Sequence, residues 1–279
     1  MTKPFVFDEI GYWSEVKLEI IKKYASAYAA IMHAHKEIKN FIYIDAFSGP
    51  GRHISRNTKE LVMGSPLNAL AITPPFSEYH LIDLDGDKAE EFQRQVGSQN
   101  NVFIHEGDAN NILIEKVFPK CQYCNYNRAL CLLDPYALNV DWNVLKAAGQ
   151  MGSIEIFYNF MIMDANMNIL WRRSDKVNAV QTARMDKVWG DQSWKDAAYV
   201  KRPTLFGDLV DEKTNNESVA EAFRLRLNKD GGFKYVPKPV PMRNNNGATI
   251  YYLFFASPNR AGASIVEDIF NAYRTKGRV

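Results

Sequence analysis

The chain has 279 residues, 46% of them hydrophobic and 24% charged, the balance of an ordinary soluble globular protein with room for one α/β domain plus an insertion, or for two small domains. No apolar run nears the roughly 20 residues that span a bilayer, the opening Met1-Thr-Lys-Pro-Phe lacks a secretion signal's layout, and three cysteines make no disulfide framework; no membrane partner and a reducing, cytoplasmic setting are expected. The net charge of +2 divides unevenly, with 15 basic against 20 acidic residues over 1–164 and a surplus of +7 over 165–279, which suits either a polyanionic substrate on the later half or a solvated basic face.

Residues 8–36 predict an amphipathic helix, because Val16, Ile20, Tyr24, Tyr28, Ile31 and His35 recur near helical spacing. Asp8 is a candidate cap for it, and Trp13 reads as core. Phe41-Ile-Tyr-Ile-Asp45 predicts a short buried strand that ends in an acid. The loop Ala46-Phe47-Ser-Gly49-Pro-Gly51 follows. In an open α/β sheet a nucleotide-like ligand settles at the carboxyl end of the first strand, where glycines let the backbone approach it. Arg52–Val62 is polar and predicts a flexible loop. Gly64-Ser65-Pro66 predicts a helix start, with Ser65 as N-cap and Pro66 at the first helical position.

Tyr79–Asp85 predicts the second strand. Asp83 at its end is placed to hold a ribose diol, while Asp85 or Asp87 suits the cap of a helix over 88–96. Asn101–Asp108 predicts a third strand, whose Asp108 is placed to accept from an amino group such as adenine N6, or to form a Gly-Asp turn. Ala129–Tyr136 predicts the fourth strand, running into Asp134-Pro135-Tyr136. Pro135 biases Asp134 to an extended conformation, so its carboxylate projects from the strand end, and Tyr136 offers a ring for stacking on a planar substrate. A helix over Val140–Gly149 and a fifth strand over Ser153–Phe160 come next, with Asn159 facing the same crevice or capping a turn.

Residues 165–232 show no convincing strand. Their interleaved basic and aromatic residues, with Arg172 and Arg173 as candidate substrate contacts, suit phosphates and bases; a helical subdomain burying Trp189 and Trp194 is the alternative. Phe233–Met242 and Thr249–Phe255 predict a hairpin turning at Asn246-Gly247. Pro237, Pro239 and Pro241 place its first arm at a sheet edge, and a final helix covers Ile265–Tyr273. Cys121-x-x-Cys124 is half a zinc site with no second pair, and Cys131 lies inside an apolar strand, so no metal is expected.

Asp45-x-Phe47-x-Gly49-x-Gly51, Asp83, Gly107-Asp108 and Asp134-Pro135-Tyr136 stand at four successive strand ends. On these residues the chain resembles the class I S-adenosylmethionine-dependent methyltransferases. That resemblance implies a Rossmann-like seven-stranded α/β sheet with a C-terminal antiparallel hairpin, and here a helical insertion. More narrowly, Trp13-Ser-x-x-Lys17, the Asp45-to-Gly51 loop, Gly64-Ser-Pro66, Asp134-Pro-aromatic and Asn159-Phe160 resemble the three-Cys-motif partner protein family. Its usual Asp-Pro-Phe-Gly becomes Asp134-Pro-Tyr-Ala here, without the glycine after the aromatic. The family's three cysteines belong to its partner, a possible partner of this chain too, and are not to be read into Cys121, Cys124 and Cys131.

The resemblance implies that Gly49 and Gly51, with Phe47 in the same loop, contact the methionine part of S-adenosylmethionine and that Asp45 lies near its amino group. Asp83 would hold the ribose hydroxyls and Asp108 the adenine amine. Asp134, Pro135 and Tyr136 would then serve an acceptor base, implying an enzyme that methylates a nucleic-acid amine of RNA or DNA. No lysine lies beside Asp134 in the fourth or fifth strand, which counts against a ribose 2′-O-methyltransferase using a lysine base. The division expected is 1–164 for the first helix and cofactor-binding half, 165–232 for the insertion with a role in substrate recognition, and 233–279 for the closing hairpin and helix. A nicotinamide-dependent dehydrogenase, which would want a third glycine near Ile54, and a non-catalytic binding module remain the alternatives.

Overall fold

The computed structural model describes residues 5–172, 176–203, 208–244 and 246–276. A short strand β1 (Glu9–Ile10) leads into helix α1 (Tyr12–Ala34) and the first buried strand, β2 (Asn40–Asp45). A hairpin of β3 (Arg52–Ser55) and β4 (Leu61–Met63) precedes α2 (Ser65–Leu70), β5 (Glu78–Asp83), α3 (Gly86–Val96), β6 (Val102–Glu106) and α4 (Ala109–Ile112). Then come β7 (Asn127–Leu133), α5 (Trp142–Met151), β8 (Ile154–Phe160) and α6 (Ile162–Asn168). Beyond them lie α7 (Ala179–Trp189), α8 (Trp194–Ala198), β9 (Tyr199–Pro203), β10 (Leu209–Lys213) and α9 (Asn216–Lys229). The chain closes with β11 (Val240–Arg243), β12 (Thr249–Ala256) and α10 (Arg260–Lys276).

Seven strands form one sheet in the order β11-β12-β8-β7-β2-β5-β6. β6, β5, β2, β7 and β8 run parallel, whereas β12 is antiparallel to β8 and β11 to β12. This is the Rossmann-like seven-stranded α/β sheet with a C-terminal antiparallel hairpin that the resemblance implies. Its central strands are buried on both faces, so they read as continuous apolar runs. Along β2, Phe41 and Tyr43 point to one layer and Ile42 and Ile44 to the other. The first layer holds α1, α2, α3 and α10, and the second α4 to α9. The strand order reverses at β2 and β7, which leaves a crevice beyond their carboxyl ends.

Several local expectations are corrected. Arg52–Val62 is not a loop but contributes β3 and β4, which join β1 in a three-stranded sheet. The missing signal was the partner strand: Ile54 N–H donates to Asp8 O at 3.0 Å and Arg56 N–H to Ile10 O at 2.8 Å, while outward-facing Leu61 and Met63 stay exposed. Asp8 does not cap α1, which starts at Tyr12 behind Gly11. Ser65 is already helical, with Gly64 at the N-cap position. Asp85 does cap α3, accepting from Asp87 N–H at 3.0 Å.

Among the described residues, the stretch 165–232 contains the end of α6, then α7, α8 and α9, and also, against expectation, the antiparallel pair β9–β10. Cross-strand partners such as Lys201 and Asp211 at 2.6 Å stabilise a ribbon whose exposed positions carry no alternating apolar signature. Trp189 and Trp194 are buried, Trp189 against Phe223, in the same layer as Phe160 and Phe254 of the sheet. As the prolines require, β11 is the edge strand.

Candidate functional site

The loop after β2 is built around two glycines that do different things. Gly51 has φ +82, and a Cβ there would meet Phe92 Cδ2 at 2.6 Å. It is the packing contact between the loop and α3. Gly49 has φ +63 with open space around its Cβ position, so only the backbone conformation demands glycine. Gly51→Ala is therefore expected to lower unfolding free energy by about 3 kcal/mol, combining left-handed strain with overpacking. Gly49→Ala should cost about 1 kcal/mol from strain alone. Urea unfolding of both variants checks this, and equal losses would contradict it.

Two carboxylates hold that loop from below. Gly49 N–H donates to Asp83 Oδ2 at 2.8 Å, and Asp83 Oδ1 accepts from Asp85 N–H at 2.9 Å. Asp45 is wholly buried, accepting from Phe47 N–H at 3.4 Å. Burial pushes its pKa up to about 7; the Ser65 hydroxyl opposes this and the Asp134 charge adds to it.

Two cavities open beyond the strand ends. One, of about 620 Å³, is lined by Lys17, Phe47, Ser48, Gly49, His53, Asp134, Pro135, Tyr136 and Asn159, with the 8–14 segment as one wall. The other, of about 510 Å³, is lined by Asp83, Leu84, Gly107, Asp108 and Asn110. Phe47 and Tyr136 line both, so they form the partition. Asp108 also caps α4, accepting from Asn110 N–H at 3.3 Å. Of the residues singled out in the sequence, Asp45 and Gly51 line neither cavity: Asp45 is buried beneath the loop and Gly51 packs the loop on α3. Arg172 is exposed and lines neither cavity. Arg173 lies outside the described residues.

The centre of the larger cavity is an ion pair that strand-by-strand reading missed. Lys17 Nζ, from α1, donates to Asp134 Oδ2, and Asn159 Nδ2 donates to Asp134 Oδ1. A lysine does lie beside Asp134, arriving from the first helix rather than from the fourth or fifth strand. Burial alone would depress the Lys17 pKa, but the Asp134 carboxylate, with Tyr251 and Asp45 behind it, raises it above the ordinary lysine value. Lys17 is thus a fixed cation and no base near neutral pH. A signal existed: Lys17, Ile21, Tyr24 and Tyr28 share one buried stripe of α1, and a lysine in such a stripe needs a partner.

Around this pair, Asn159 Oδ1 and His53 Nδ1 are buried without a hydrogen-bond partner. Burial, and then the Lys17 charge, holds the His53 imidazole below its usual pKa. Across the cavity Lys88 Nζ lies 5.2 Å from the centre of the Tyr136 ring and 3.6 Å from Asp8 Oδ2. That contact ties the stacking candidate to the N-terminal strap. Cys121 and Cys131 are buried and Cys124 is exposed, all with free thiols. Among the described residues no group of three or more His, Cys, Asp or Glu is placed to hold a metal ion, and no helix is long and apolar enough to cross a membrane.

No protein-family model matches the chain, and no curated protein does. Among solved structures, it is similar to protein LPL1258 of Legionella pneumophila str. Philadelphia 1, described with the family model DUF519. The TM-score is 0.51 at 11% identity, over 92% of this chain and 91% of that one. That likeness establishes shared fold. An S-adenosylmethionine-dependent methyltransferase of Clostridium acetobutylicum ATCC 824 aligns at TM-score 0.40 and 12% identity, over 86% of this chain and 91% of that one. Another from Mesorhizobium loti aligns at 0.37 and 10%, over 83% and 97%.

Proposed function

We propose that the protein is an S-adenosylmethionine-dependent methyltransferase acting on an exocyclic amine of a nucleic-acid base. The observation that carries this reading is the Asp134 carboxylate, held by Lys17 and Asn159 in a cavity that shares a wall with an acid-lined neighbour. The donor fits the residues present. Asp83 and Asp108 line the smaller cavity, and each carboxylate keeps lone pairs for a ribose diol or an adenine amine. Gly49 has open space where a side chain would stand, so the loop backbone is available to the methionine part. When bound, S-adenosylmethionine supplies a sulfonium-bound methyl group, and alignment with a nucleophile is then the main requirement.

This chain's residues supply the acceptor's side. A base amine is a poor nucleophile because its lone pair is delocalised into the ring. Asp134 accepts an N–H hydrogen bond from that amine, which draws the lone pair back onto nitrogen. Lys17 keeps Asp134 an acceptor by holding a positive charge against it. Asn159 orients the carboxylate, and its free Oδ1 accepts a second N–H. Tyr136 stacks on the base.

The resemblance to the three-Cys-motif partner family adds support, since two of its segments, Trp13-Ser-x-x-Lys17 and Asp134-Pro-aromatic, meet in this one ion pair. A three-Cys-motif protein is accordingly the proposed partner, and the 165–232 insertion the proposed region for larger substrate contacts. A non-catalytic module would bind the donor and methylate nothing. Calorimetric titration with S-adenosylmethionine and with NAD is the first test, and binding of NAD alone overturns the reading. Asp134→Ala is expected to abolish methyl transfer while donor affinity stays within about twofold, a change of roughly 0.4 kcal/mol. Mass spectrometry of nucleosides from RNA and DNA, with and without the expressed protein, identifies the product. Unchanged transfer by Asp134→Ala would move the chemistry elsewhere.

A further inference from the structure

One wall of the larger cavity is made by segments that no sequence motif joined: the strap 8–14 with β3, and the turn after β11. Acids and bases on this wall are unevenly matched. Asp8 is engaged by Lys88 at 3.6 Å and Glu9 by Lys59 at 2.8 Å. Arg56 keeps only a 3.9 Å approach to Glu9, and Arg243 has no ion pair among the described residues. The register shifts between Met242 and Arg243, with Ile250 of β12 as the extra residue, and Arg243 lines the cavity beside Asn244 and Asn246. Two guanidinium groups therefore stand at one cavity, Arg56 held only by its long pairing to a Glu9 that Lys59 already engages, and Arg243 with no ion pair among the described residues.

Aromatic side chains line the same cavity. Tyr12 is 49% exposed and meets Trp13 edge-on, with ring centres 5.5 Å apart. Trp13 and Arg243 also line a neighbouring groove of about 1160 Å³ along α9 and β11, which continues the path away from Asp134. Guanidinium groups recognise phosphates, and exposed aromatic rings stack on unpaired bases of any identity. The two together on one wall are the footing of a single strand.

We propose that this wall is a track for single-stranded nucleic acid, with Arg56 and Arg243 on phosphates flanking the target and Tyr12 and Trp13 stacked on its neighbours. The inference rests on the reading of Asp134 as the acceptor for a base amine. It adds that the substrate is a strand rather than a free nucleoside, and an unpaired one, because a paired amine lies inside the helix.

Fluorescence anisotropy with a labelled RNA strand and a DNA strand of about 12 nucleotides tests this in the full chain, with a matching duplex and a glutamate-rich peptide alongside. The single strands are expected to bind, the duplex and peptide far more weakly. Arg56→Gln and Arg243→Gln should each weaken strand binding about five- to tenfold and flatten the slope of log affinity against log salt by about 0.7. Tyr12→Ala should weaken binding with the slope kept. Unchanged slopes in both arginine variants, equal binding of the duplex or the peptide, or no strand binding would each overturn the track. Donor titration in the same samples separates the two readings: retained S-adenosylmethionine binding with a failed track leaves the methyltransferase reading standing.

Discussion

Lys17→Met will cost about 3–5 kcal/mol of unfolding free energy, because it leaves the Asp134 charge without its counter-ion in a mostly buried site. The Lys17 side chain is 9% exposed and that of Asp134 24%, so water reaches the carboxylate in part and the lower figure applies. The double variant Lys17→Met/Asp134→Leu should recover most of the loss, since two apolar groups replace a pair that had to be desolvated. Under the proposed function, methyl transfer should fall about 100-fold in Lys17→Met, the order found when one preorganised charge is removed from an active site. Lys17→Arg should restore part of it. Urea unfolding and transfer assays on these three variants, on Asp134→Leu and on the unmodified protein decide the matter. A double variant as unstable as the sum of its parts would show that the pair is not the unit acting here.

Stability should also fall as pH rises from about 4.5 to 7, through Glu155 on β8. Its carboxyl is buried against Tyr24 of α1 and Ser257, with the Tyr24 hydroxyl and the Ser257 hydroxyl donating to it. Among the described residues no cation pairs with it. Burial pushes its pKa up to about 7 from an ordinary 4.5, against those two hydrogen bonds. The folded protein therefore holds this proton more tightly than the unfolded chain does. The resulting stabilisation is complete below the unfolded value and is lost as pH climbs through the folded one. A shift of that size corresponds to about 3 kcal/mol. Glu155→Gln cannot ionise, so its stability relative to the unmodified protein should improve by about that amount between pH 4.5 and 8. Urea unfolding across that range measures it, and a flat difference would contradict the assignment. Asp45, buried with a pKa also pushed up to about 7, works in the same direction beneath the glycine loop.

Both predictions turn on charges placed inside the layers packed on the sheet. Glu155 lies in a strand and Lys17 in a helix, and both are buried where α1 meets the sheet. A helix that both supports the sheet and delivers a cation to its carboxyl end couples stability to the site, which is why the Lys17 variants should report on both.

The chain's local pattern was enough to determine the parallel core. Apolar runs such as Phe41–Ile44 and Leu130–Leu133 have no polar face, so they had to be buried on both sides. An acid after each run marked the end where a crevice forms. The proline-rich arm before β11 could lie only at an edge, because proline offers no N–H to a further strand. Tertiary structure alone decided the rest. Lys17 and Asp134 are 117 residues apart, and no local pattern says that α1 crosses the end of β7. Gly51 proved a packing contact with Phe92 and Gly49 an open backbone position, a difference that φ and neighbouring atoms decide and residue type does not. The strap and β3–β4 went unseen because short, half-exposed strands draw their stability from pairing with a distant partner, and so carry almost no apolar alternation of their own.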